Sequence, residues 1–204
     1  MKSFYLIIIF TLVTTYSFSQ ITLSLLNGRK LSLESYVKHE EDAILEYNYQ
    51  KHSGKTRKFY SDYNDIYSMN IGGKDSIFYV PENEESYNIE EMGRVVFGMQ
   101  EAEQHFKPWW AFVAGTAVAG GSLFLPTYGT VKIVVPVGYF AGMIFVKPSK
   151  SNVYRKYPQF AGDALFAYGY QRKARIKILK NTAFGMLAGF AISGATLGII
   201  NIAK

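Results

Sequence analysis

The amino-acid sequence predicts an α+β membrane protein: a small SH3-like or Sm-like β-barrel module, then juxtamembrane helices, then two or three transmembrane helices. Three observations carry this expectation. Short apolar/polar alternations punctuated by turn residues fill residues 20–80. Two long uncharged stretches follow, one between Lys107 and Lys132 and one from Ala183 to Ala203, and a run of about 20 apolar residues matches the hydrocarbon thickness of a bilayer. Charge is also segregated. Gln20 to Pro108 carries 10 Lys/Arg against 15 Asp/Glu, whereas Trp109 to Lys204 carries 11 Lys/Arg against the single acid Asp163. An acidic half joined to a basic, apolar half suits loops facing anionic headgroups, so the net charge of +6 does not imply nucleic acid.

Residues 1–19 read as a signal peptide: Lys2, an apolar core from Phe4 to Val13, and Ser17-Phe18-Ser19 as a small-x-small cleavage site before Gln20. There is no cysteine, which excludes disulfides, thiol redox chemistry and a lipoprotein anchor.

Within the expected β-module, 20–80, Ile21 to Leu25 and Lys30 to Leu33 flank Asn27-Gly28, a dipeptide that supplies the positive φ angles of a tight hairpin. Ala43 to Tyr49, Lys58 to Tyr60, Ile66 to Ile71 and Ser76 to Val80 read as further strands, with turns at His52 to Lys55 and Gly72-Gly73. Closure into a barrel would remove exposed edges. The tyrosines of this module are strand formers on a half-buried sheet, with a ligand face as the alternative.

Residues 81–108 form an acidic linker and a juxtamembrane helix. Residues 109–146 hold one span, opened by Trp109 and Trp110, whose rings favour a membrane interface. A shorter apolar segment follows Lys132; broken by Pro136 and Gly138, it is a re-entrant element or a second span. Residues 147–182 make a basic loop and helix, with Arg172, Lys173 and Arg175 assigned with Lys132 to the interface. Residues 183–203 form the last span. Small residues that let helix backbones approach closely are Gly115 and Ala119 in the first span and Gly185, Gly189, Gly194 and Gly198 in the last. Gly185 and Gly189 share one stripe and Gly194 and Gly198 fall nearly opposite, so the last helix has two close-packing faces.

An internal repeat links the two halves. Phe97-Gly98-Met99-Gln100 is echoed by Tyr168-Gly169-Tyr170-Gln171, each followed by a glycine-rich run. Two spans would make the repeats inverted and three would make them parallel. The stretch Gly169-Tyr170-Gln171-Arg172-Lys173-Ala174-Arg175-Ile176-Lys177 resembles the G-Y-x-x-K-A-K-x-K pattern of a family of uncharacterised exported membrane proteins of Gram-negative bacteria. The chain departs from that family at Gln100-Glu101-Ala102, where an aspartate usually precedes the alanine, and its middle apolar segment is longer. The resemblance implies architecture and export to the cell envelope and no established activity.

No catalytic, cofactor or metal signature emerges. Glu101 and His105 form the only helical acid–histidine pair, fewer ligands than a metal site needs. Asp75-Ser76-Ile77 is a weak glycosylation-like triplet. The resulting expectation is a non-enzymatic envelope protein, embedded in the inner membrane ahead of the outer, with the β-module periplasmic. Its partners would be the lipid bilayer and another membrane protein or a second copy. The alternative is a channel or transporter subunit in which Lys132 and the Pro136 break line a path.

Overall fold

A computed structural model describes residues 21–50, 54–126 and 129–202. The expected signal peptide and the turn residues His52 and Ser53 lie outside the described residues. The chain divides into a strand-built unit ending at Val80 and a helical unit from Pro81 onward, with which the hairpin residues Asn27–Arg29 group.

The first unit is a six-stranded, wholly antiparallel sheet in the order β4-β3-β2-β1-β5-β6. The strands are β1 (Ile21–Leu25), β2 (Lys30–His39), β3 (Ile44–Gln50), β4 (Thr56–Asp62), β5 (Ile66–Ile71) and β6 (Lys74–Ile77). The period-two pattern sends Leu23, Leu25, Leu31, Leu33, Leu45, Tyr47, Ile66 and Met69 into one core. Register shifts between Leu33 and Ser35, and between Ser24 and Leu25, mark irregular pairing. In the first hairpin only Gly28 takes a positive φ, while Asn27 accepts the Arg29 N–H at 3.0 Å through its side chain. The dipeptide therefore turns the chain by an Asx-type bond and one left-handed residue rather than by two.

The expected barrel is not formed. The outer strands β4 and β6 do not pair, and the sheet is open. Charge blunts both edges instead of closure: Arg57 and Lys58 stand exposed on β4, Lys74 and Asp75 on β6. Tyr47 is buried, and Tyr36, Tyr49 and Tyr63 pack on the core.

The helical unit contains α1 (Ile89–His105), α2 (Trp109–Leu123), α3 (Gly129–Met143), α4 (Lys150–Lys156) and α5 (Ala164–Ile202). α1 starts at a capping box: the Asn88 side chain accepts the Glu91 N–H at 2.8 Å and the Glu91 carboxylate accepts the Asn88 N–H at 3.0 Å. α5 is capped by Asp163, whose Oδ1 accepts the N–H groups of Leu165 and Phe166, both at 3.0 Å.

Among the described residues no helix is long and apolar enough to cross a membrane. α2 and α3 have 15 residues each, about 22 Å of helix against a hydrocarbon core of about 30 Å. α5 has 39 residues, but its first half carries Arg172, Lys173, Arg175, Lys177 and Lys180. The uncharged run from Ala183 is thus the second half of a long helix that starts in charged sequence. The expected transmembrane helices and the membrane-embedded envelope location with a periplasmic module are overturned by this finding.

Candidate functional site

The dominant contact of the helical unit is a parallel helix pairing. α1 and then α2 lie along successive halves of α5, and four glycines set the separation. A Cβ added to Gly98 would come within 3.0 Å of the Phe166 carbonyl oxygen, and one added to Gly169 would do the same to that of Val95. Each glycine therefore sits on the carbonyl three residues before its counterpart. The relation recurs one crossing later, where Gly115 meets the Thr182 carbonyl oxygen and Gly185 that of Phe112. The two repeats are side by side, parallel and related by a local pseudo-two-fold, with backbone touching backbone because no side chain intervenes. Gly189 extends the seam onto Thr116, and Gly120 packs against Gly189 and Ser193.

Hydrogen bonds fasten the same seam. The Thr116 hydroxyl donates to the carbonyls of Phe112 and Gly185, both at 3.0 Å. Between α1 and α2 the chain breaks at Phe106–Pro108, and side chains of α4 and α5 bond the backbone carbonyls around the break. Lys177 of α5 donates to Ala102 O at 3.3 Å and Glu103 O at 2.6 Å, Lys156 to His105 O at 3.4 Å, and Asn181 to Pro108 O at 3.1 Å. Burial first, and neighbouring lysines after it, hold the Lys177 ammonium below its usual pKa, against the opposing pull of Glu103. Glu103 also meets Lys173 at 3.4 Å and Lys177 at 3.9 Å.

An aromatic cluster closes the end nearest α4. Phe166, fully buried, stacks on Phe160 at 4.3 Å and meets Tyr157 edge-on at 5.5 Å. Tyr157 and Tyr170 are buried beside Glu101, and burial, then the Tyr170 phenol and the Glu101 carboxylate, drives the Tyr157 pKa well up. Burial followed by Glu101 raises Tyr170 as well. The Tyr157 hydroxyl lies near these groups without a well-aligned hydrogen-bond partner among the described residues. Glu101 and His105 pair at 3.1 Å, and among the described residues no three metal-ligating side chains converge.

The residues singled out in the sequence separate into two sets. Gly115, Ala119, Gly185 and Gly189 come together on the α2–α5 seam, with Ala119 fully buried. Gly194 has no described atom within 4 Å of an added Cβ, and the surroundings of Gly198 lie outside what is described. Trp109 and Trp110 are exposed at the start of α2, Lys132 is half-buried on α3, and Pro136 is buried inside that helix. Arg172 is exposed and Lys173 buried, so these neighbours serve different sides of α5. Sequence reasoning missed Gly98 and Gly169 as packing residues, although the repeat that contains them was visible.

A second surface of α5 is apolar and uncovered. Phe184, Leu187, Ile192 and Ile199 are each more than half exposed and, at about 100° per residue, spread over about 140° of the helix surface centred roughly opposite Ser193. α2 exposes Trp109 and Val113, and α3 exposes Ile133, Val134 and Val137. Comparison with protein-family models, curated proteins and solved structures finds no match to this chain.

Proposed function

We propose that this chain is a non-enzymatic interaction protein whose helical unit associates with a second copy of itself through the uncovered stripe of α5. One observation carries the reading. The second half of α5 is apolar on two faces, and only one of them is covered within the chain. Helices that are apolar all round are buried all round, and extended exposed apolar surface marks an association site. A like copy suits the stripe because it contains no charge between Ala183 and Ile202, so two copies meet without repulsion there. The open notch at Gly194 offers the same small-residue geometry that the chain uses internally.

Sedimentation velocity over a concentration series tests this. The full chain should form a discrete oligomer, and Leu187→Glu or Ile192→Glu should return it to monomer with the helical circular-dichroism signal intact. A chain that stays monomeric at every concentration, or an oligomer indifferent to both substitutions, refutes it.

A further inference from the structure

We propose that the helical unit carries a binding site for a phosphate monoester, in a cavity between α5 and the segment that follows α3. The cavity is about 300 Å³ and is lined by Lys147, Tyr168, Gln171, Arg172, Arg175 and Ile176. Five of these residues share one face of α5, at the spacing of successive helical turns. The sixth, Lys147, is held opposite them because Gln171 Nε2 donates to the carbonyl oxygen of the adjacent Pro148 at 2.7 Å.

The charge pattern points to an anionic ligand. Lys147, Arg172 and Arg175 bring three cations to one small space, and none of them meets a carboxylate among the described residues. The other cations of this part of α5 are treated differently: Lys173 and Lys177 are both satisfied by Glu103. Arg175 adds a second observation, since its Nε is fully shielded from solvent and has no hydrogen-bond partner among the described residues. A guanidinium with an unused donor beside a second guanidinium and an ammonium matches the oxygens of a phosphate monoester, which accept in a forked geometry and carry up to about two negative charges against the three cations. A carboxylate would neutralise only one. Tyr168 and Ile176 form the organic wall, and the volume, at the low end for small-molecule pockets, leaves room for a short organic group beyond the phosphate.

That phosphate can belong to a soluble metabolite or to a lipid headgroup, and the experiment separates the two. Full-length protein is titrated calorimetrically with glycerol 3-phosphate, with glycerol as the uncharged control, and is co-sedimented with vesicles containing phosphatidic acid, whose headgroup is a phosphate monoester, with and without glycerol 3-phosphate. Binding should occur with the phosphate ester, fail with glycerol, and weaken as salt is added. Arg175→Gln and Arg172→Gln should each weaken it by about tenfold or more, as loss of a charge-assisted pair requires, and Lys132→Gln, outside the cavity, should not. Arg175→Lys, which keeps the charge and the fold, should also bind more weakly because it lacks the fork. Saturable binding of the soluble ester assigns the metabolite source. Vesicle binding that needs Arg175 without affinity for the soluble ester assigns the headgroup. Absence of both, or equal losses in the Arg175, Arg172 and Lys132 variants, overturns the site.

Discussion

Replacing Gly169 by alanine puts the helix pairing to a quantitative test. The new methyl group would intrude on the backbone of Val95, and because the obstacle is backbone on both sides, neither side chain can rotate away. α1 and α5 must separate by roughly 1 Å, and overpacking of this kind costs about 1–3 kcal/mol. Alanine in a helix recovers about 1 kcal/mol of backbone entropy, so a net loss of up to about 2 kcal/mol remains, about 1–3 kcal/mol worse than the same substitution at an uncrowded helical glycine. The pseudo-symmetry sharpens the prediction. Gly98 lies at the same crossing, so once one methyl has parted the helices the second costs little, and Gly98→Ala with Gly169→Ala should cost clearly less than the two separately. Gly185 is 16 residues further along α5, about 24 Å away, and its cost should add to that of Gly169. Gly194→Ala is the control: with no described neighbour in reach it should be neutral or stabilising in the monomer. Urea titrations followed by tryptophan fluorescence suit the question, since both tryptophans of the chain, Trp109 and Trp110, lie in the helical unit. If Gly169→Ala is as benign as Gly194→Ala, or if the Gly98/Gly169 double variant is strictly additive, the backbone contact is not what holds these helices together.

Tyr157→Phe removes a buried hydroxyl that lacks a well-aligned partner, so at neutral pH it should be neutral or stabilising by up to about 1 kcal/mol. The folded-state pKa of Tyr157 is raised above its unfolded value of 10.0. Its contribution is therefore complete below that pH and is lost as pH rises beyond it; the variant should show a shallower alkaline decline in urea midpoint. Lys177 acts in the opposite sense, its lowered pKa making stability climb as pH approaches 10.5, so Lys177→Met should remove that rise. Asp163→Ala uncaps α5 and should cost about 1 kcal/mol, with slower loss on Asp163→Asn; equal stability of wild type and both variants by thermal melting would show that the cap is inert.

Local chemistry made much of the strand unit readable. Ile66 to Ile71 is a strand with the same bounds in sequence and structure, and Leu23, Leu31, Leu33 and Leu45 alternate as core residues do. Closure was not readable, because whether β4 meets β6 depends on sheet curvature and on charged edges rather than on any one strand. In the helical unit, Gly115, Ala119, Gly185 and Gly189 were visible as contact residues, but their composition is common to membrane helices and to tight helix pairs. The end points of α2 and α3, set by Phe106–Pro108 and by the turn after Leu123, decide the length available, and hydropathy over a window ignores them. The cavity at Arg175 left no local signal, since Lys147 reaches it only through the fold.

The two glycine crossings are separated by 17 residues on the α1–α2 side and by 16 on α5. One side contains a short nonhelical joint, and the other is a continuous rod. This difference allocates tolerance to insertion and deletion along the chain. A residue gained or lost at Phe106 to Pro108 changes a joint that is already irregular and tethered by side chains. A residue gained or lost between Gly169 and Gly185 turns everything downstream by about 100°, carrying Gly185 away from Phe112 while Gly169 still faces Val95. Length variation in this protein should therefore be found at the joint and be absent from the rod.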